Sequence, residues 1–481
     1  MDGKTQLVVR TVEGAVAGRW RAGMAEFRGI PYAQPPVGDL RFAAPVPVPH
    51  WDGTRQATEF GPLPPQSGPV QVGSAPETDW LTLNVSTPDP GAAGLPVLVW
   101  LPGGGYVISV SGDPTYDPTQ LCADGLVVVS VNYRVGVEGF AFIDGAPANR
   151  GFLDQIAALE WVQRNISHFG GDPARVCVAG QSAGAGSVAC LLVTTEAQGL
   201  FQRAIAHSVP GAFVLPSLAK QVTAALANGE DLRNVDPWEL ADSLTAFNAS
   251  LSGHHDRWGP MAQIGAGVCP VLDETSLPRT PWSALSDGVD LLLGHTRDEF
   301  RLFSVMAGRA GTFTAEDAQL ALDLFAPSPD GYRAGYPEAS PSELMEIVYS
   351  DALFRMPSQQ LAEANALVGG RSYLFELCLA APGLGACHSL DVSLAFGTLD
   401  SPVGRQVFGE MPTAATLRVS EELRRAWASF AATGDPGWAA YRPGQRLTRV
   451  MDTESKTVPY PEEASRKIWE RHTPAPFALP T

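Results

Sequence analysis

A serine set between two glycines is the residue of this sequence best placed to act as a nucleophile. Ser182 stands in Gly180-Gln181-Ser182-Ala183-Gly184, between the apolar runs 176–179 and 187–193. Glycine on both sides allows a sharp turn in which neighbouring backbone leaves no room for a Cβ atom. The spacing predicts a strand, a tight turn and a helix that expose one hydroxyl for attack on an acyl group. A glycine-rich turn with a bystander serine is the alternative.

A base and an acid must assist this serine, because a hydroxyl is a poor nucleophile at neutral pH. In α/β enzymes with such a turn, the chain order is serine, acid, histidine, each in a loop after a strand. His388 lies in such a loop and is the preferred base, although His207 and His295 could also line the pocket. Asp298 and Glu299 both follow an apolar run, and spacing alone leaves both open as the acid.

Three consecutive glycines could stabilise the negative charge that develops on an attacked carbonyl oxygen. Gly103, Gly104 and Gly105 follow the apolar run 97–101 after Pro102 and precede the serine turn. Without side chains, their backbone N–H groups can approach an oxyanion closely. A flexible turn is the alternative, but the position after a strand favours an oxyanion loop.

Short apolar runs separated by helical patterns predict the framework that would hold these groups. The runs 97–101, 126–131 and 291–293, and the run that ends at Ala179, are typical of strands buried on both faces of a parallel sheet. From 154 to 166, apolar residues recur at spacings of three and four, which indicates an amphipathic helix. The alternation favours an α/β fold with a large, mostly parallel central sheet flanked by helices.

The rest of the chain predicts an antiparallel edge and two insertions. Residues 7–19 alternate like a strand, and 31–49 are rich in proline. The stretches 215–285 and 305–345 have helical and loop composition and are candidates for insertions that line the substrate pocket. No repeat or low-complexity linker interrupts the chain, so we expect a single catalytic domain over residues 1–481.

Composition restricts the partners. The net charge is −18, which disfavours nucleic acid and anionic membranes, because both require a basic face. Residues 1–6 do not begin a secretory signal, and six scattered cysteines without a C-x-x-C pair favour reduced thiols, so a cytoplasmic protein is expected. The adjacent His254, His255 and Asp256 lack the spacing of a zinc motif, and no metal or organic cofactor is expected.

Five further motifs extend over nearly the whole chain. They are FRGIPYAQPPVG at 27–38, LTLNV at 81–85, NYRVG at 132–136, LDQ at 153–155 and FGGDP at 169–173. With these motifs the sequence resembles the type-B carboxylesterase and cholinesterase family, and within it bacterial carboxylesterases similar to para-nitrobenzyl esterases. The resemblance implies an α/β-hydrolase fold and hydrolysis of small carboxylic esters through an acyl-enzyme, without a cofactor.

The resemblance also implies roles for individual residues. It matches Ser182 to the nucleophile, Glu299 to the acid and His388 to the base, and so favours Glu299 over Asp298. The oxyanion donors and a serine that steadies the acid are carried over in the same way: Gly104, Gly105 and Ala183 as backbone donors, and Ser208 beside the acid.

One departure and one alternative stand beside this interpretation. Gln181 occupies the place of a glutamate in many members of the family, and we expect a changed pH profile and no strong preference for cationic substrates. The same triad could serve an acyltransferase, lactonase or cyclase of specialised metabolism, or an amidase. A non-catalytic adhesion role is disfavoured because all three triad positions are present. The sequence does not define the oligomeric state.

Overall fold

A thirteen-stranded sheet forms the centre of the computed structural model, which describes residues 7–68, 78–273 and 275–480. Residues 1–6, which the expected location partly rests on, lie outside this range. The strands are β1 Leu7–Arg10, β2 Ala15–Arg21, β3 Met24–Pro31, β4 Thr54–Gln56, β5 Thr82–Thr87, β6 Leu95–Leu101, β7 Val127–Val131, β8 Gly171–Gln181, β9 Arg203–His207, β10 Asp290–Thr296, β11 Arg371–Leu377, β12 Leu447–Met451 and β13 Lys456–Pro459.

The sheet is parallel in its middle and antiparallel at both ends. Its order is β1-β2-β3-β5-β7-β6-β8-β9-β10-β11-β12-β13, with β4 paired to β2. Strands β7, β6, β8, β9, β10, β11 and β12 pair in parallel, whereas β1, β2, β3, β5 and β13 add antiparallel edges. The short strand β4 pairs in parallel with β2. The predicted α/β architecture with a mostly parallel sheet is confirmed.

Helices cover both faces of the sheet. The described residues form α1 Thr119–Ala123, α2 Gly136–Phe140, α3 Arg150–Asn165, α4 Ala183–Leu191, α5 Pro216–Ala227, α6 Pro237–Ser250, α7 His255–Trp258, α8 Pro260–Ile264, α9 Pro281–Ala284, α10 Arg301–Met306, α11 Ala315–Phe325, α12 Pro329–Gly335, α13 Pro341–Ser350, α14 Met356–Leu367, α15 Leu390–Phe396, α16 Pro402–Phe408, α17 Ala414–Thr433 and α18 Glu463–Trp469. A π-helical turn, Asp351–Arg355, joins α13 to α14.

Alternation along the strands divides the core into two apolar layers. In β6, Val97, Val99 and Leu101 pack into one layer, and Leu98 and Trp100 pack into the other. Successive side chains of a strand point to opposite faces, so a strand covered by helices on both sides is apolar throughout. This explains why the sequence shows the central strands as continuous apolar runs.

The site lies at the carboxyl ends of the parallel strands. Ser182 follows β8, His207 ends β9, Glu299 lies three residues after β10, and His388 lies between β11 and α15. Helices α5 to α9 occupy the first predicted insertion, and α11 to α13 occupy the second. Within the described ranges, no helix has the length and apolar character needed to cross a membrane.

Candidate active site

The turn at Ser182 is a strained connection between β8 and α4. Ser182 has φ 57° and ψ −128°, which an L-residue rarely adopts. A Cβ atom on Gly180 would overlap the backbone of Gly184, and one on Gly184 would overlap the carbonyl of Leu101. The Ser182 N–H donates to the carbonyl of His207 at 3.0 Å. The two glycines therefore permit the turn, and β9 helps to hold it.

Glu299 and His388 form a buried pair beside this turn. Nδ1 of His388 lies 2.5 Å from Oε2 of Glu299. The other oxygen of Glu299 accepts from the hydroxyl of Ser208 at 2.6 Å and from the N–H of Thr296 at 2.8 Å. Burial would raise the pKa of Glu299, but the His388 imidazole and these donors outweigh it, so the pKa is lowered. The carboxylate is held ionised, and it orients the imidazole with Nε2 away from the acid.

Asp298 points away from the imidazole. Its carboxylate accepts from Arg297 at 3.0 Å and from the N–H of Ala386 at 2.9 Å. These contacts lower its pKa against the effect of partial burial. Of the two acids that spacing left open, Glu299 alone bonds to His388, and Asp298 ties its own loop to the loop before the histidine.

The two other histidine candidates are fully buried and bonded elsewhere. His207 contacts Asp391 and Trp427. Nε2 of His295 forms a hydrogen bond of 3.1 Å with the hydroxyl of Tyr460. Burial lowers the pKa of His295 to about 4. Within the described residues neither side chain bonds to the serine turn, and of the three histidines His388 alone forms a hydrogen bond with Glu299.

The side chain of Gln181 contacts the imidazole nitrogen of His388 that does not face Glu299. Nε2 of Gln181 lies 3.2 Å from Nε2 of His388, and its carbonyl oxygen accepts from the hydroxyl of Ser389 at 3.2 Å. With Nδ1–H directed at Glu299, Nε2 is the accepting nitrogen of a neutral imidazole. In the part of the chain described, Ser182 Oγ makes no hydrogen bond to His388; such bonds commonly tighten only when substrate binds.

The glycine triplet lies directly against the serine turn. A Cβ atom on Gly103 would come within 2.6 Å of the Gln181 carbonyl oxygen and 3.3 Å of the Ser182 Cβ atom. Gly104 and Gly105 have φ 128° and 61°. Their N–H groups, and that of Ala183 at the start of α4, have no backbone acceptor within the described residues. The loop thus presents free donors next to the nucleophile candidate.

Aromatic rings cover the other side of the imidazole, and sequence reasoning missed them. The ring of Phe354 lies 4.4 Å from that of His388, and Phe303 lies 5.4 Å away. Phe303 is 37% exposed, whereas Phe354 is buried. Phe303 follows Glu299 by four residues, which was an available signal, but Phe354 lies in the π-helical turn and no local pattern connects it to the site. No cluster of potential metal ligands occurs among the described residues.

Comparison with known proteins finds similar sequences over most of the chain. The family model described as the carboxylesterase family matches residues 5–328. Para-nitrobenzyl esterase of Bacillus subtilis is 33% identical, over 96% of this chain and 98% of the relative. Phenmedipham hydrolase of Pseudarthrobacter oxydans is 34% identical, over 94% and 97%.

Solved structures are similar over the same span. A para-nitrobenzyl esterase and a Geobacillus stearothermophilus carboxylesterase each match with a TM-score of 0.85 at 30% identity. The matches cover 96% of this chain, and 99% and 100% of those chains. The α/β-hydrolase fold that the resemblance implied is confirmed.

Proposed function

Because the chain belongs to the carboxylesterase family and is a serine carboxylic-ester hydrolase, we propose that Ser182, His388 and Glu299 carry its reaction. The observation that carries this assignment is the hydrogen-bonded series from Ser208 through Glu299 to His388, beside a serine in a strained turn. Nucleophile, acid and base lie in loops that follow three different strands, in the chain order typical of α/β-hydrolases.

In the proposed reaction, Ser182 Oγ attacks the ester carbonyl as its proton passes to Nε2 of His388. The carbonyl oxygen becomes an oxyanion, which the N–H groups of Gly104, Gly105 and Ala183 stabilise. The imidazolium then protonates the leaving alcohol as the C–O bond breaks, leaving an acyl-serine. Water, deprotonated by the same imidazole, releases the acid and restores Ser182.

Glu299 and Ser208 support the base in this scheme. Glu299 keeps Nδ1 protonated and stabilises the imidazolium that forms, and Ser208, the residue after β9, holds the carboxylate in place. Gln181 contacts the same imidazole without adding charge, so the neutral base is not penalised by a second carboxylate.

We also infer that the substrates are uncharged esters with an apolar or aromatic group. Phe303 and Phe354 give the His388 side of the site an apolar surface, and Gln181 provides no negative charge for a cation. One similar protein is named para-nitrobenzyl esterase, which agrees with an aromatic group. Helices α5 to α9 and α11 to α13 are the candidate walls for the remainder of the pocket.

The assignment is tested with Ser182→Ala and, as a matched control, Ser187→Ala. Ser187 lies in α4, where its buried hydroxyl donates to the carbonyl of Ala183. The Ser182 variant should lose fluorophosphonate labelling and at least about 10³-fold in kcat, whereas the Ser187 variant should keep both. Equal labelling of Ser182→Ala and the parent would refute the assignment.

The acceptor of the acyl group is water in the proposed reaction. Product analysis with added alcohols or amines would show whether another nucleophile takes the acyl group instead. We propose a cytoplasmic location because all six cysteines are buried free thiols, which suits a reducing compartment. Fractionation of the source cells would test it.

A further inference from the structure

A second buried imidazole–carboxylate pair lies behind the site. Nδ1 of His207, the last residue of β9, is 2.8 Å from Oδ2 of Asp391 in α15. The indole N–H of Trp427 in α17 lies 3.0 Å from the other ring nitrogen of His207. His207, Asp391 and Trp427 are all fully buried. The proposed reaction uses none of these side chains.

The hydrogen bonds define the charges of this pair. An indole N–H only donates, so Nε2 of His207 is unprotonated and accepts from Trp427. The ring is therefore neutral, and its proton is on Nδ1, from which it donates to the Asp391 carboxylate. The second oxygen of Asp391 has no hydrogen-bond partner within the described residues. A buried carboxylate with one ring donor is a costly arrangement, and apolar side chains of similar size would pack there at lower cost.

His207 is also connected to the segments of the nucleophile and the acid. Its carbonyl accepts from the N–H of Ser182 at 3.0 Å, which holds the strained turn. The next residue, Ser208, donates its hydroxyl to Glu299 at 2.6 Å. Asp391, in turn, lies three residues after His388, at the start of the helix that follows the base. The pair thus connects the end of β9, which contacts the Ser182 turn and Glu299, to the helix that directly follows His388.

We propose that His207 and Asp391 are positioning residues that hold the His388 segment in register with Ser182 and Glu299. This inference rests on the proposed function of those three residues. Because proton transfer from serine to imidazole depends steeply on distance, a shift of α15 by a fraction of an ångström would slow the chemical step. Substrate binding to the exposed surface of Phe303 would be little affected.

The first test compares His207→Leu with His207→Gln. Leucine removes both hydrogen bonds, and we expect kcat to fall by about 10- to 100-fold with KM changed by less than about twofold. A glutamine can donate its amide N–H to Asp391 and accept from Trp427 through its carbonyl. His207→Gln should therefore recover kcat to within about threefold of the parent.

The second test separates positioning from stability. The double variant His207→Leu/Asp391→Leu removes the buried charge, so its Tm should return to that of the parent while kcat stays low. Asn165→Leu is the matched stability control, because it deletes a buried polar contact to Glu13 and the N–H of Val12, at the β1 edge of the sheet. It should lower Tm without lowering kcat.

The outcomes are distinguishable. Low kcat in the double variant at full Tm supports the proposal, and recovery of kcat together with Tm overturns it. A kcat of His207→Gln as low as that of His207→Leu also overturns it. If Ser182→Ala retained hydrolysis and fluorophosphonate labelling, the triad assignment itself would fail, whatever the His207 variants did.

Discussion

Replacing Gln181 by glutamate should move the acid limb of the pH–rate profile to higher pH. The amide nitrogen of Gln181 lies 3.2 Å from Nε2 of His388, so the variant places a carboxylate next to the nitrogen that must accept the serine proton. A negative charge there favours the imidazolium, and the imidazolium cannot act as the base. A higher pH is then needed to generate the active form.

The expected size follows from this separation. Two unit charges 3.2 Å apart at an effective dielectric constant of 20 attract by about 5 kcal/mol, which is an upper bound. Position 181 is 4% exposed, so loss of hydration of the new carboxylate offsets much of this attraction. Close charge pairs in proteins typically shift a titration by about 1–3 pH units. We expect the midpoint of the acid limb to rise by about 1–2 units, equivalent to about 1.4 kcal/mol per unit.

The assay is kcat/KM from pH 5 to pH 9 on an uncharged ester, followed by pH-stat titration. Gln181→Met is the control, because it removes the hydrogen bonds to His388 and Ser389 but adds no charge. Its acid limb should stay close to that of the parent. A Gln181→Glu profile that superimposes on the parent, with no gain for positively charged esters, would refute the reasoning.

Two further predictions follow from the site and its surroundings. Gly103→Ala should lower kcat by about 10²-fold or more and also lower Tm, because the added Cβ atom would lie 2.6 Å from the backbone carbonyl oxygen of Gln181 and displace the proposed oxyanion loop; a variant with parental kcat would contradict this. His295→Gln should weaken the pH dependence of stability. Burial lowers the pKa of His295 to about 4. The neutral imidazole therefore contributes fully to the free energy of unfolding above its ordinary pKa near 6.5, and this contribution is lost as the pH falls toward 4. Urea unfolding should show that the free energy of unfolding of the parent falls by about 2 kcal/mol more than that of the variant between pH 7 and pH 5. The control variant His168→Gln, at an exposed position, should behave like the parent.

The sequence predicted the central strands and missed one that the site needs. Strands β6, β7, β8 and β10 contain continuous apolar runs because helices cover both of their faces. Strand β9 is five residues long and contains two alanines, with an arginine and a histidine at its ends. Its small side chains carry little strand propensity, and its position between β8 and β10 comes from pairing across the sheet.

The sequence could predict those parts of the candidate site that a short local motif defines. The turn at Ser182 and the glycine triplet are consequences of steric crowding, which short motifs record. Whether Asp298 or Glu299 faces the histidine depends on the path of one loop, and adjacent residues in a loop can point in opposite directions. The contact of Gln181 with His388 joins residues 207 positions apart, and no local rule gives it.

The helical insertions of this enzyme connect strands that are neighbours in the sheet. Helices α5 to α9 lie between β9 and β10, and α10 to α14 lie between β10 and β11. Both excursions begin and end on neighbouring parallel strands whose pairing involves none of their residues. The sequences of α5 to α9 and of α11 to α13 can therefore diverge or lengthen while the strand ends that carry the proposed triad keep their register. Under the proposed function, the substrate range can change on this scaffold while the proposed triad stays the same.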